Sequence, residues 1–372
     1  MSEQLIHWKE LFEFVKRVMI KLNVPEKGSE NIADNLVLSN LRGIDSHGVA
    51  RLKRYVDGIK TGYIVPNAQH RIVKESSVLA NIDAQHGLGQ VVSVFSMEMA
   101  INKAKNEGIG MVTVFNSNHY GFAGYYPLMA LKHDLIGISM TNAAPLVVPT
   151  FGKNALFGTN PIAVAAPTEK HRSWVMDFAT SVVPRGKLEV YNRLNKKLPK
   201  GWATDEMGIP TDNPGQVLKN LLDQLGGGIL PLGGEGELYG GHKGYGLGIM
   251  VDVFCGILSG SNYGPFVVSK DNGKTVFPKV GHFFMAIDPS YFIDLKSFKK
   301  RMDNYIDLLK NSEKAEGQTR IYVHGEKEFE EHERRERHGI PLDMRTVESL
   351  TKISEEYNEE IKFMSTGSRS SF

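Results

Sequence analysis

Apolar positions recur with a helical period at both ends of the chain and with a strand-like texture between them. Trp8, Leu11, Phe12, Val15, Val18 and Leu22 mark a first helix, broken at Asn23-Val24-Pro25. Ile32, Leu36, Val37 and Leu41 mark a second, stopped near Gly43. A third opens at Asp45 or Ser46, either of which can cap a helix N-terminus, and carries the stripe Val49, Leu52, Val56 and Ile59. From about residue 72 the texture changes. Stretches 77–82, 110–115, 137–141, 162–166, 173–178 and 281–287 read as short strands. Helices are expected over 91–106, 122–132 and 244–259. A charged stretch rich in Pro and Gly, 191–214, interrupts the pattern. Beyond 290 the helical period returns over 295–309 and 326–338, and in a last helix through Val347, Leu350, Ile353, Tyr357 and Ile361. The polar tail 365–371 has no period. The fold class is therefore α/β. Residues 73–289 form a central mixed α/β region, and 1–72 with 290–372 are expected to pack as one discontinuous helical lobe.

Composition narrows the classes. The chain has 372 residues, enough for two or more lobes with real cores. Apolar content of 41%, charged content of 23% and a net charge of +2 give no electrostatic case for nucleic acid or membrane. Cys255 is the single cysteine, so no intrachain disulfide and no cysteine-based metal cluster is possible. Met1-Ser2-Glu3-Gln4 lacks the charge and apolar core of a signal peptide, and the most apolar stretch, 245–258, is too short to span a bilayer. A cytoplasmic, reducing location is expected, with no bound metal.

Four segments carry chemistry. In Asp45-Ser46-His47-Gly48-Val49-Ala50-Arg51, continued to Tyr55, the residues His47, Arg51 and Tyr55 are spaced by four. On a helix they share one face. Arg holds a carboxylate through two parallel hydrogen bonds, and imidazole moves a proton near neutral pH. That face suits a small carboxylic acid undergoing proton-coupled chemistry; the plain alternative is a solvated helix face. The second segment, Asn116-Ser117-Asn118-His119-Tyr120-Gly121, leaves a strand for a loop, a place where active-site groups often stand. The third, Asp177-Phe178-Ala179-Thr180-Ser181 with Arg185 and Lys187 beyond it, offers hydroxyls and cations suited to ribose and phosphate. The fourth, Gly240-Gly241-His242-Lys243-Gly244, opens a helix and adds a cation to its positive end. No G-x-G-x-x-G follows a strand, and neither H-E-x-x-H nor G-x-S-x-G occurs. His332 and His338 lie in a Glu/Arg run that reads as a solvated helix face.

Together these segments resemble one family, the second type of malate/L-lactate dehydrogenase, which is distinct from the Rossmann-type enzymes of those names. The matching residues are Ser46-His47-Gly48 with Arg51, Asn118-His119 with Gly121 and Gly124, Gly158-Thr159-Asn160-Pro161, and Asp177 to Ser181. They continue with His242-Lys243-Gly244-Tyr245-Gly246, Ala286-Ile287-Asp288-Pro289 and Gly339-Ile340-Pro341, in family order from about residue 5 to 345. Leu41-Arg42-Gly43, Pro231-Leu232-Gly233-Gly234 and His324-Gly325-Glu326-Lys327 look most like the archaeal-type malate dehydrogenase branch.

The resemblance implies a non-Rossmann fold, NAD or NADP as cofactor, a homodimer, and hydride transfer at C2 of a 2-oxo or 2-hydroxy acid. It makes Arg51 the clamp for the C1 carboxylate. His119 is favoured as acid/base, with His47 as the alternative, and Ser46 and Tyr55 as orienting groups. It assigns Asp177, Phe178, Ala179, Thr180, Ser181, His242, Lys243, Gly325, Glu326 and Asn160 to the cofactor. Pro184 and His324 depart from the pattern, where many members have a small residue and a proline. Malate and oxaloacetate are the expected pair. Lactate, sulfolactate and ureidoglycolate are alternatives, as is an NAD(P)-binding scaffold without turnover. A four-carbon diacid needs a second cation, for which Arg54, Arg185 and Lys187 are available.

Overall fold

Alternation along the middle strands decides which way each side chain faces, and one sheet follows from it. The computed structural model describes residues 3–271 and 273–364; the polar tail 365–371 lies outside them. The chain begins β1 (Glu3–Ile6), α1 (Trp8–Lys21), α2 (Glu26–Leu41), α3 (Leu52–Lys60), β2 (Arg71–Glu75), β3 (Leu79–Asp83), α4 (Gly89–Glu107) and β4 (Ile109–Ser117). It continues α5 (Tyr125–Leu131), β5 (Ile136–Thr141), β6 (Ile162–Ala166), β7 (Trp174–Phe178), α6 (Arg185–Arg193), β8 (Ala203–Thr204), α7 (Pro214–Asp223) and β9 (Gly228–Ile229). It ends α8 (Gly241–Asp252), β10 (Lys270–Asp271), β11 (Lys274–Thr275), β12 (Val280–Ile287), α9 (Leu295–Asn311), α10 (Glu326–His338), β13 (Ile340–Asp343) and α11 (Met344–Tyr357).

Seven strands form the central sheet in the order β2-β3-β4-β12-β5-β6-β7. Only β3 and β4 run parallel, with α4 as their connection; the other neighbours are antiparallel. Strand β12 shows the period of two. Phe284 and Ala286 join Val112, Val114 and the α4 residues Met97 and Ala100 in one core. Phe283 joins Met140, Ile162, Val251 and Cys255 in the core on the opposite face. Each such fully buried large side chain contributes about 1.5–3 kcal/mol. Strand β2 was not expected. Its five residues are all exposed, so no alternation marks it.

The two chain ends meet. Strands β1 and β13 pair antiparallel, Ile6 opposite Ile340. Leu11, Phe14, Val15, Ile32, Leu36, Leu52 and Tyr55 share one core with Ile340, Leu342, Leu350 and Ile353. Helix α9, within the same C-terminal stretch, instead faces the α/β region: Asp303 accepts the backbone N–H groups of Lys170 and His171, and Lys299 pairs with Asp134.

The third expected helix is not continuous. Asp45–His47 and Val49–Arg51 are separate 3-10 turns, and α3 begins only at Leu52. Gly48 between them is extended, at φ −81° and ψ −152°. A Cβ there would stand 2.2 Å from Asn40 Oδ1, the atom that accepts the Val49 N–H at 2.8 Å. The Asn40 side chain thus takes a backbone donor that a continuous helix would have used. Nor does Asp45 cap a helix. Its carboxylate accepts both Nη atoms of Arg335, at 2.6 and 3.0 Å, and Asn40 Nδ2 at 2.6 Å.

Candidate active site

The chemistry gathers where the C-terminal end of β4 meets the turns before α3. The Tyr55 hydroxyl lies 2.7 Å from His119 Nδ1, across 64 residues of sequence. The His47 and His119 rings stack, with centroids 5.8 Å apart and planes 16° from parallel. Ser46 Oγ stands 2.9 Å from His47 Nδ1. Arg51 Nε donates to the Ser46 carbonyl at 2.6 Å. Among the described residues, the two Nη atoms of Arg51 have no hydrogen-bond partner, so the edge that fits a carboxylate is open. Thus His47, Arg51, Tyr55 and His119 do converge, through two broken turns and a loop rather than along one helix face.

The charges here are of one sign. Burial, then Arg51 and Arg54, push His47 down to about 4. Burial, then Arg54, His47, Arg51 and His282, push His119 well below its ordinary value. Burial raises Tyr55 to about 12. Both imidazoles are therefore neutral at pH 7 while no anion is present. Arg54 is exposed and bears on both rings; the more remote Arg185 is paired with Glu189 at 3.0 Å.

Behind His119 lies His282, which the sequence reading did not single out, although it is the one ionisable residue in the apolar strand 281–287. It is fully buried, with Nδ1 2.7 Å from Thr141 Oγ1 and Nε2 2.8 Å from Ser117 Oγ, and it stacks on Tyr120 at 4.7 Å. Burial holds it neutral, at about 3. In the unfolded chain its value returns to about 6.5. The stability that neutral His282 contributes is thus full above pH 6.5 and is lost as pH falls toward 3. The difference in Tm between the parent and His282→Asn is expected to narrow from pH 7.5 to pH 4.5. A difference independent of pH would show that His282 does not titrate on unfolding.

The residues assigned to the cofactor fall along the far end of the sheet. Asp177 Oδ2 accepts the Gly124 N–H at 2.7 Å, tying β7 to the loop after His119. Phe178 and Ala179 are half-buried, and Thr180 and Ser181 are buried. The Thr180 carbonyl accepts the Leu232 N–H at 2.9 Å, which brings in the loop on which α8 starts. A Cβ on Gly241 would stand 2.1 Å from the Gly234 carbonyl oxygen, so loop and helix start touch backbone to backbone. His242 and Lys243 are exposed on that first turn. At the other side of β7, Gly325 packs on Val175. Of these groups, the helix start with its exposed cation is the part suited to an extended, phosphate-bearing nicotinamide cofactor.

Four of the assigned residues, Thr180, Ser181, Asn160 and Glu326, have side chains occupied by the fold: Thr180 Oγ1 donates to the Thr159 and Asn160 carbonyls at 3.2 and 3.1 Å, and Ser181 Oγ to the Val183 carbonyl at 2.9 Å. Asn160 is fully buried; its Oδ1 accepts the Ala143 N–H at 3.1 Å and its Nδ2 donates to the Gly248 carbonyl at 2.9 Å and Asp252 at 3.1 Å. Glu326 pairs with Lys310, meets Arg320 at 3.3 Å and accepts the Val323 N–H at 3.1 Å. Their side chains serve the fold, and any contact they make with a cofactor would have to come from the backbone. No group of three or more His, Cys, Asp or Glu among the described residues is arranged to hold a metal.

The sheet lacks the Rossmann order, and similarity over most of the chain places the protein in the class of dehydrogenases that act on 2-hydroxy acids. The chain belongs to the malate/L-lactate dehydrogenase family, which it matches over residues 6–351. It is 50% identical to the malate dehydrogenase of Pyrococcus horikoshii over 92% of this chain and 93% of the relative. It is 38% identical to a malate/(S)-sulfolactate dehydrogenase of Methanothermus fervidus, over 96% of this chain and 99% of that one. The solved structure of malate dehydrogenase from Pyrococcus horikoshii superposes with a TM-score of 0.87 at 46% identity, covering 97% of each chain.

Proposed function

We propose that the protein interconverts malate and oxaloacetate, with NAD or NADP as the hydride partner. The observation that carries this reading is the open Arg51 fork beside a His119 whose far nitrogen is engaged by Tyr55. The cofactor, when bound, supplies or takes the hydride at C2. The chain's own groups do the rest. Arg51 holds the C1 carboxylate through its two Nη atoms, and Arg54 takes the second carboxylate of a four-carbon acid. Two carboxylates arriving here offset the positive charges that depress His119 and raise its pKa, so that it takes up a proton as substrate binds. His119 Nε2 then donates that proton to the C2 oxygen during reduction, and removes it during oxidation. Tyr55 holds the ring through Nδ1. His47, kept in place by Ser46, donates to the substrate oxygen and shields it. In this reading the groups that hold the carboxylates come from the helical lobe, 1–72 with 290–372, while His119 and most cofactor groups come from 73–289, with Gly325 contributed by the lobe.

Family members carry both NAD(+) and NADP(+) in their names, and each remains a partner to test here. A homodimer is proposed as well. Ile249, Val253 and Ile257 form an exposed apolar strip on α8 and the π-turn after it, beside exposed Tyr263 and Phe266. Such a strip on an enzyme surface favours a second copy. No described helix is long and apolar enough to cross a membrane, and the buried thiol of Cys255 suits a cytoplasmic, reducing location.

The test is the absorbance of reduced nicotinamide with oxaloacetate, pyruvate and sulfopyruvate, each with NADH and NADPH. Oxaloacetate is expected to lead in kcat/KM, and Arg54→Met to lower it about 10-fold or more against oxaloacetate while sparing pyruvate. Sulfopyruvate leading in the parent by tenfold would assign a sulfolactate dehydrogenase instead. No turnover with bound cofactor would favour the scaffold.

A further inference from the structure

A buried amide stands behind the tyrosine of the site. Gln90 lies in the first turn of α4. Gly89 before it packs on the loop that bears His119: a Cβ there would be 2.3 Å from the Asn118 carbonyl oxygen and 2.5 Å from that of His119. This approach sets Gln90 beside the Tyr55 hydroxyl. The Gln90 side chain is fully buried, and neither its Oε1 nor its Nε2 makes a hydrogen bond. Polar atoms left unpaired in a protein interior are costly, so an amide at this place needs a reason.

The chemistry of His119 supplies one. To remove a proton from substrate, the ring must present a bare Nε2 and therefore carries its proton on Nδ1. To return that proton it must be protonated at both nitrogens. In both states Nδ1–H donates, so Tyr55 must accept at its oxygen and point its own O–H elsewhere. At rest the order is reversed. The Gly121 N–H lies 3.3 Å from Nδ1, and the Tyr55 O–H then donates to the same atom. Only a neighbour with both a donor and an acceptor satisfies the tyrosine in either setting. Resting on the reading that His119 is the acid/base, we propose that Gln90 is a positioning residue of this proton relay. Its Nε2 donates to the Tyr55 oxygen at rest, and its Oε1 accepts the Tyr55 proton when Nδ1 is protonated. In reduction the proton His119 gives to substrate is the one it took up from solvent on substrate binding, and in oxidation the proton it removes returns to solvent, while Tyr55 and Gln90 only reverse their hydrogen bonds.

The groups facing His119 are His47 and Arg51 from the two turns, Arg54 and Tyr55 from α3, and His282 from β12. None of them offers an anion, so beyond the substrate carboxylates the protonated ring has only the protein's dipoles to support it. Removing the acceptor should therefore shift its titration down, and replacing it with a carboxylate should shift it up.

The experiment compares the full-length parent, Gln90→Met and Gln90→Glu in oxaloacetate reduction across pH. Gln90→Met is expected to lose on the order of 10- to 100-fold in kcat. Its KM for the nicotinamide cofactor should stay unchanged, and its profile should move to lower pH. Gln90→Glu is expected to recover much of kcat with a profile moved to higher pH. A purely structural role would lower both rates without opposite shifts. Should Gln90→Met fail to fold, the upward shift in Gln90→Glu still decides. Profiles that stay in place, or move in the same direction, overturn the inference. His119→Asn separates the two ideas: full activity there removes the acid/base reading itself, whereas loss of activity with unmoved Gln90 profiles removes only the role of Gln90.

Discussion

Replacement of His119 by alanine is expected to lower kcat by about 10²–10⁴-fold, the range a positioned proton carrier contributes. The loss should fall on kcat, with the KM for the nicotinamide cofactor little changed, because the ring lies at the substrate end of the site. The Tyr55 contact at 2.7 Å and the stacked His47 ring leave His119 the better-oriented of the two histidines. His47→Ala is accordingly expected to raise the KM for the acid more than it lowers kcat. Steady-state rates with both substrates varied would measure this. Loss of kcat in His47→Ala with kcat retained in His119→Ala would exchange the two roles.

Arg51→Met is expected to cost about 10²–10³-fold in kcat/KM for the 2-oxo acid. This lies within the roughly 2–5 kcal/mol range of removing one partner from a desolvated, hydrogen-bonded charge pair. Arg51→Lys should recover only part, since an ammonium cannot reproduce two parallel bonds. A second readout follows from the electrostatics. Arg51 depresses both His47 and His119. Removing its charge should move the alkaline limb of the reduction profile, where His119 loses the proton it must donate, to higher pH even as the rate falls. A variant with full kcat/KM would move the carboxylate to another cation, and Arg54 is the nearest candidate.

Much of the candidate site was legible in the sequence because its residue types stand in short segments. Ser46-His47, Arg51 and Asn118-His119 each announce themselves, and the structure brings them within contact of one another. Gln90 and His282 were not legible as site groups. One sits at the start of an ordinary helix and the other in an apolar strand. Their meaning comes from neighbours far away in the chain, Tyr55 for Gln90 and Ser117 and Thr141 for His282. Asn160 and Glu326 show the converse. Both stand in matching motifs, and both spend their side chains on the fold.

The sequence by itself determined the elements with strong local period: the amphipathic helices of both ends and the buried strands of the middle. These depend on side chains within a few residues of one another, and burial on one face rewards the same local pattern wherever the element ends up. Tertiary structure alone decided the strand order, the pairing of Glu3–Ile6 with Ile340–Asp343, and the breaking of residues 45–51 into two turns. There the local preference for a helix lost to hydrogen bonds from distant groups. Asn40 takes the Val49 N–H and Arg335 takes the Asp45 carboxylate, so that His47 and Arg51 face His119.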